Sequence, residues 1–353
     1  MRERKTRISE KRAESYRKRR QAMPEPGEEE EVDELVEHHI SPKAKKAIIG
    51  IAAALFVVFS AVIYLNEAFW HNESIPSWQQ IYESAGLSES VDGSLPKGGA
   101  AVHFIDVGQG DCELITDGKT SVLIDSGEYT AESTVVSYLN SLEIKRLDYV
   151  VMSHPHSDHM GSMYYVLDKF DVGTVIMADM KESVIPATSS FKKLIDVIER
   201  KNIDVMYAKA GESIEICGGR LEMLAPVREY DDLNNYSVVV RFVHGDNSFI
   251  FCGDICKDAE RDILDSGAEL SADVIKVAHH GSTSSSLKVF MQAVSPAYAV
   301  IEVGAGNDYG HPHKEIVSLL KKLDIDIYRT DKNGNVVFVS DGKDLTVSTE
   351  KEQ

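Results

Sequence analysis

The chain has 353 residues, 43% hydrophobic and 27% charged, proportions that allow one large globular domain with appendages or two ordinary domains. Its formal net charge of −19 is uneven: residues 1–46 hold 13 Lys and Arg against 11 Asp and Glu, which leaves −21 on the remainder. A remainder that acidic argues against the basic footprint with which a protein holds a long duplex, and four scattered cysteines, Cys112, Cys217, Cys252 and Cys256, are too few for a disulfide framework and read as small buried side chains.

Ten Lys and Arg crowd the first 20 residues and an acidic run follows over 25–37, so residues 1–46 form a charged tail unable to bury a core. Lys43, Lys45 and Lys46 then precede an uninterrupted apolar run over 47–65, which reads as a single transmembrane helix with Tyr64 and Trp70 at its interface. Basic residues stay on the cytoplasmic side, which orients the chain as a single-pass plasma-membrane protein with a cytoplasmic N-terminus and everything after Leu65 extracellular. Residues 66–99, with Pro76, Pro96, Gly86 and Gly93, read as an extracellular linker, and residues 100–353 as the folded domain.

Within that domain, apolar runs predict strands over 102–107, 113–116 and 121–125, the last two joined by a tight turn at Asp117-Gly118. Helix 131–142, strand 148–153, helix 161–170, strand 174–177 and helix 191–201 follow. A second set repeats that grammar, with strands 213–216, 220–225, 237–243 and 248–252, helix 258–264, strand 273–278 and helix 286–294. Strand 298–302, helix 314–323 and strands 325–328 and 336–339 come last. This order predicts an α/β fold of two mixed sheets with helices outside, an αββα sandwich, rather than a doubly wound parallel sheet.

His154, His156, Asp158 and His159 fall within six positions directly after an apolar strand. Imidazole and carboxylate bind divalent ions of borderline softness; His154 and His156 alternate on an extended loop while Asp158 and His159 turn into the next helix, so one loop can serve two adjacent ions. Another apolar strand delivers Asp254 after Gly253, and a hairpin turning at Gly245-Asp246 sets Asp254 opposite Ser237, with His244 at the far end. Strand 273–278 ends in His279 and His280, of which one completes the metal shell and the other is free for a substrate oxygen; periodicity leaves open which. Asp106 and Asp125 are candidates for orienting a ligating histidine, and His313 stands near a helix N-terminus, a place that favours anions.

His-Pro-His-Ser-Asp-His matches the His-x-His-x-Asp-His signature of the metallo-β-lactamase superfamily. That resemblance implies a binuclear αββα hydrolase in which Asp254 bridges both metals. The chain departs from the pattern before the Asp254 strand, where Asn234, Asn235 and Ser237 stand in place of a further histidine.

The runs 106–111, 253–255, 276–282 and 307–313 resemble more narrowly the extracellular hydrolase domain of ComEC-type competence proteins, over about residues 102–335. This implies a metal-dependent phosphodiesterase or nuclease with two divalent ions, Zn or Mn, and a hydroxide held between them. His154, His156, Asp158, His159, Asp254, His279 and His280 are the ligand candidates; Asp158 and Asp254 position the hydroxide, and His280, Ser282 and His313 are candidates for holding phosphate or protonating the leaving group. The implied substrate is single-stranded DNA or, as in extracellular phosphorylcholine esterases, a cell-wall polymer; a β-lactam is disfavoured by the missing histidine. With one apolar span the chain reads as a membrane-tethered relative and not a pore. A metal-binding interaction protein without activity is the remaining alternative, and protein partners are left open.

Overall fold

A computed structural model of the chain describes residues 57–63, 66 and 95–351. Contacts divide the chain into units Met1–Leu87 and Ser88–Gln353. In the first, residues 57–63 are helical; the expected tail, the rest of the expected membrane span and nearly all of the linker up to residue 94 lie outside the described residues. Among the described residues no helix is long and apolar enough to cross a membrane.

The second unit opens with β1 (Ala100–Phe104), β2 (Glu113–Thr116) and β3 (Ser121–Ile124), an antiparallel meander. The chain then crosses through α1 (Glu132–Ser141) to β4 (Arg146–Val151), through α2 (Ser157–Met160) and α3 (Met163–Lys169) to β5 (Asp171–Met177), and through α4 (Ser189–Lys201) to β6 (Asp204–Tyr207). These crossovers pair β3 to β6 in parallel. In α4 the cause is local: the Thr188 hydroxyl accepts the Phe191 N–H as a cap, Leu194, Val197 and Ile198 make the buried stripe, and Asn202 ends the helix in the left-handed region.

A second sheet starts with β7 (Ser213–Ile216), β8 (Gly219–Met223), β9 (Val240–His244) and β10 (Asn247–Phe251), all antiparallel. It continues in parallel through α5 (Lys257–Asp265) to β11 (Val274–Lys276), α6 (Lys288–Val294) to β12 (Tyr298–Ile301), and α7 (Lys314–Lys322) to β13 (Asp326–Arg329). Finally β14 (Val336–Ser340) and β15 (Leu345–Thr349) return to the first sheet, β14 antiparallel to β1. The orders are β15-β14-β1-β2-β3-β4-β5-β6 and β13-β12-β11-β10-β9-β8-β7.

Side chains alternate across these strands as the pleat requires. Val122 and Ile124 join the core that also holds Phe242, Phe249 and Phe251 of the second sheet. Leu123, between them, packs with Val135, Leu139, Val166 and Leu194 of the helices outside. The fold is therefore the αββα sandwich expected from the element order. Two strands were not foreseen, β6 and β15, because edge strands with polar or exposed residues carry no apolar run. The helix expected over 161–170 is α3, and Asp158 and His159, expected on the turn into it, lie in a separate short helix, α2, ahead of Gly161 and Ser162. All four cysteines are free thiols and three of them are buried.

Candidate metal centre

Five strands end on the same side of the sandwich, and the residues just past their carboxyl ends supply the centre: Asp125 after β3, His154 after β4, Asp254 after β10, His280 after β11 and Glu302 after β12. Carboxyl ends of parallel strands are where open α/β sheets place their chemistry. The β9–β10 register, Asn247 opposite His244 through Phe251 opposite Val240, carries on to bring Ser237 beside Asp254, whose N–H donates to the Ser237 hydroxyl at 3.1 Å. Gly253 allows this approach, since a side-chain carbon there would sit 3.0 Å from both Ser153 and Ser237 and its φ is 48°.

Asp158, His159, Asp254 and His280 each direct a donor atom into one space, all within 4.8 Å of one another. His159 Nε2 lies 3.3 Å from Asp254 Oδ1, and His280 Nε2 3.3 Å from Asp158 Oδ2 and 3.6 Å from Asp254 Oδ2. Both imidazoles are held from behind. His159 Nδ1–H donates to Asp125 at 2.7 Å and His280 Nδ1–H donates to the Glu302 carbonyl at 2.9 Å, which leaves each Nε2 lone pair facing the space. His159 Nε2, His280 Nε2 and Asp254 Oδ1 are buried and make no hydrogen bond. Three unpartnered buried donors converging with a fourth fit a divalent cation of nitrogen and oxygen preference.

The electrostatics agree. Burial alone would lower the His280 pKa, but the Asp254 and Asp111 carboxylates push it up to about 10; His159 is raised well above its ordinary value in the same way, by Asp254, Asp111 and Asp125. Asp254 is held well below the usual carboxylate range against its burial, by the imidazoles of His159 and His280. Protons therefore compete with a cation for these two imidazoles.

His154 and His156 form a second, smaller constellation. His154 Nε2 and His156 Nδ1 face each other at 2.9 Å, while the Ser153 and Ser237 hydroxyls lie 3.1 and 3.3 Å from His154 Nδ1. Burial, with the neighbouring His159, holds His154 well below its ordinary pKa, so it presents a neutral ring. Where a further histidine would stand, Asn235 Oδ1 accepts the Cys256 N–H and the Ser237 hydroxyl the Asp254 N–H.

Asp111 lies between the imidazoles, 3.3 Å from His280 Nδ1 and 3.5 Å from His159 Nδ1, and is ion-paired to the buried Lys276 ammonium, which also donates to the Gly253 carbonyl at 3.3 Å. Sequence reasoning passed over Lys276, which reads as an ordinary strand residue; its signal was a lone lysine inside an apolar strand, where an unpaired charge is not tolerated. Glu113 and Glu302 lie behind, both raised by burial, Glu302 to about 8.

Of the other predicted residues, His279 is half-buried, its Nε2 3.6 Å from Asp254 Oδ2 and its Nδ1 3.0 Å from the Ser284 hydroxyl. Ser282 accepts from Ser284. His313 caps the loop below it, its Nδ1 accepting the Thr283 N–H at 2.9 Å, and it is His311, two residues earlier, whose ring packs against both His279 and His280. Asp106 pairs with Lys351 and leaves the orienting place to Asp125. His244 bonds Ser340 and the Gly98 carbonyl, away from the centre.

The sequence signature of the Metallo-beta-lactamase superfamily matches residues 105–302, and the chain belongs to that superfamily. Within it, the chain is similar to ComEC-type competence proteins. It is 29% identical to ComE operon protein 3 of Bacillus subtilis (strain 168) over 260 residues, 67% of this chain and 32% of that protein. It is 32% identical to Competence protein ComA of Neisseria gonorrhoeae over 256 residues, 72% of this chain and 34% of that protein. The chain therefore spans about a third of the length of these relatives. Among solved structures it is similar to the metallo-beta-lactamase fold protein YhfI from Bacillus subtilis, at 10% identity and a TM-score of 0.46 over 68% of this chain and 100% of that one.

Proposed function

We propose that the chain is a metal-dependent phosphodiesterase acting on nucleic acid, single-stranded DNA in the first place, and tethered to the plasma membrane by the apolar run over 47–65 with its hydrolase domain outside. The observation that carries the chemistry is the convergence of Asp158, His159, Asp254 and His280 with three buried donor atoms left unpartnered; the likeness to proteins named for competence supports the substrate.

In this reading Asp158, His159, Asp254 and His280 would hold one divalent ion, Zn or Mn, and His154 and His156, with Asp254 nearby, would hold a second. Bound ions acidify water and neutralise charge on phosphoryl oxygens. The chain's own groups do the rest. Asp125 and the Glu302 carbonyl fix the tautomers of His159 and His280. His311, held near neutral by burial and the adjoining histidines with a pKa of about 4, offers a hydrogen bond to substrate rather than a proton. Ser282 Oγ and His313 Nδ1 accept from Ser284 and Thr283, which leaves the Ser282 O–H and the His313 Nε2–H to donate to a phosphate oxygen, and His279 and His311 join them as phosphate-holding groups.

A second reading, hydrolysis of a cell-wall phosphodiester with a cationic head group, is favoured by the strong negative charge of the chain outside its tail. Hydrolysis of bis-p-nitrophenyl phosphate and of a single-stranded oligonucleotide, with Zn²⁺ or Mn²⁺ and beside Asp254→Ala, tests the proposal. Metal-dependent turnover of both, lost in the variant, is expected. Turnover of the small ester but not the oligonucleotide would favour the second reading, and no turnover by metal-loaded protein would sink both in favour of an interaction role.

A further inference from the structure

The loop between β12 and α7 lays two rings in a row with His280, from solvent to the metal centre. Tyr309, 65% exposed, lies over His311 with centroids 5.6 Å apart and planes 20° apart. His311 in turn lies over His280 at 6.2 Å and 28°. The loop that carries them is tied down. Asn307 accepts the His311 N–H and donates to the carbonyls of His311 and Gly304, and the His313 N–H donates to the Gly281 carbonyl. An exposed aromatic ring is thus held rigidly two ring steps from a buried imidazole of the centre, and no chemistry proposed above uses it.

We propose that the outer face of Tyr309 is a stacking subsite for one base of a single-stranded nucleic acid, which sets an adjoining phosphodiester over the Asp158–His159–Asp254–His280 cluster. The inference rests on the nucleic-acid reading of that same centre. Its support is the geometry of one flat, open π-face. Such a face accepts any base by stacking, and a base is free to stack only where the strand is unpaired. A quaternary ammonium head group is instead bound by several rings arranged as a cage, and among the described residues His311 is the ring recorded against Tyr309. Stacking is also insensitive to the charge of the domain, which disfavours a long electrostatic groove but leaves a single aromatic contact intact.

The test is a cycle of two changes on the metal-loaded full chain. Fluorescence anisotropy measures Kd for a labelled single-stranded oligonucleotide and for an abasic strand of the same length, with wild type, Tyr309→Ala and Tyr309→Phe. A stacked base is worth about 1–3 kcal/mol, so Tyr309→Ala should erase a preference for the base-bearing strand of about 5- to 150-fold that Tyr309→Phe keeps. If Tyr309→Ala retains the wild-type preference, or wild type shows none, the subsite does not exist. Because binding is read without turnover, failure of the hydrolase reading is seen separately, as the absence of cleavage by protein that still prefers bases. Phosphorylcholine displacing the oligonucleotide from wild type but not from Tyr309→Ala would overturn the proposal in favour of a cationic head group.

Discussion

Lys276→Met removes the ammonium that faces Asp111 in a place where both side chains are essentially without solvent contact, 0% and 1% exposed. Glu113 and Glu302 are pushed up by burial, which makes Asp111 the main counter-charge to the ammonium. Removing one partner of a buried pair destabilises by about 3–5 kcal/mol, because the other charge loses its compensation; His159 and His280, 3.5 and 3.3 Å from Asp111, put Lys276→Met at the low end of that range. Asp111→Asn should do the same by taking away the nearest counter-charge and leaving the ammonium neutral acceptors, the amide oxygen and the Gly253 carbonyl, at hydrogen-bond distance. The double variant strands neither, so it should be no worse than either single change, a coupling of about 3 kcal/mol or more. Guanidinium unfolding followed by far-ultraviolet circular dichroism, on full chain with metal chelated, measures the four free energies. Additivity within about 0.5 kcal/mol would refute the reasoning, since independent sites add to that accuracy.

Three further outcomes are expected. Since His159 and His280 are raised, the latter to about 10, metal must displace their protons at neutral pH; affinity should therefore rise with pH, by up to about 100-fold per unit if both are released, and a competitive chelator titration that gives a flat profile would contradict it. Asp125→Asn weakens the acceptor of His159 Nδ1–H and should lower metal affinity by about 10- to 100-fold with the fold retained, as read by calorimetry and circular dichroism. His244→Ala should leave metal stoichiometry unchanged while destabilising by about 0.5–1.5 kcal/mol for each of the two hydrogen bonds it removes, to Ser340 and to the Gly98 carbonyl, since the Ser340 hydroxyl keeps Asn247 and the Gly342 N–H as partners; loss of a bound ion would show that the hairpin register does not keep this ring from the centre.

The parts of the centre legible in the sequence are those set by local geometry. His154, His156, Asp158 and His159 lie on one loop, and the pairing of Asp254 with Ser237 follows from counting back from the Gly245-Asp246 turn. What stayed hidden depends on contacts between distant segments or on unusual backbone. His279 and His280 both adopt left-handed conformations, with φ of 53° and 51°, so no strand or helix period tells which ring turns inward. The approach of His311 to His279 and His280 depends on how Asn307 closes its loop. The Lys276–Asp111 pair exists because β11 of one sheet ends against the segment after β1 of the other, a meeting that neither stretch of sequence announces.

The place of β1 between β2 and β14, with Ala100 opposite Ser340, has a consequence for the birth of the molecule. A chain emerging from the ribosome has made all its candidate ligands, His154 through His280, long before it makes the strand that covers the open edge of β1. The Asp106 N–H, just ahead of Asp111, likewise waits for the side chain of Asn335. Such pairings, remote in sequence, form slowly and leave a strand edge bare meanwhile. The sheet that carries Asp125 and His154 is therefore completed only when the last two strands of the chain arrive at its edge.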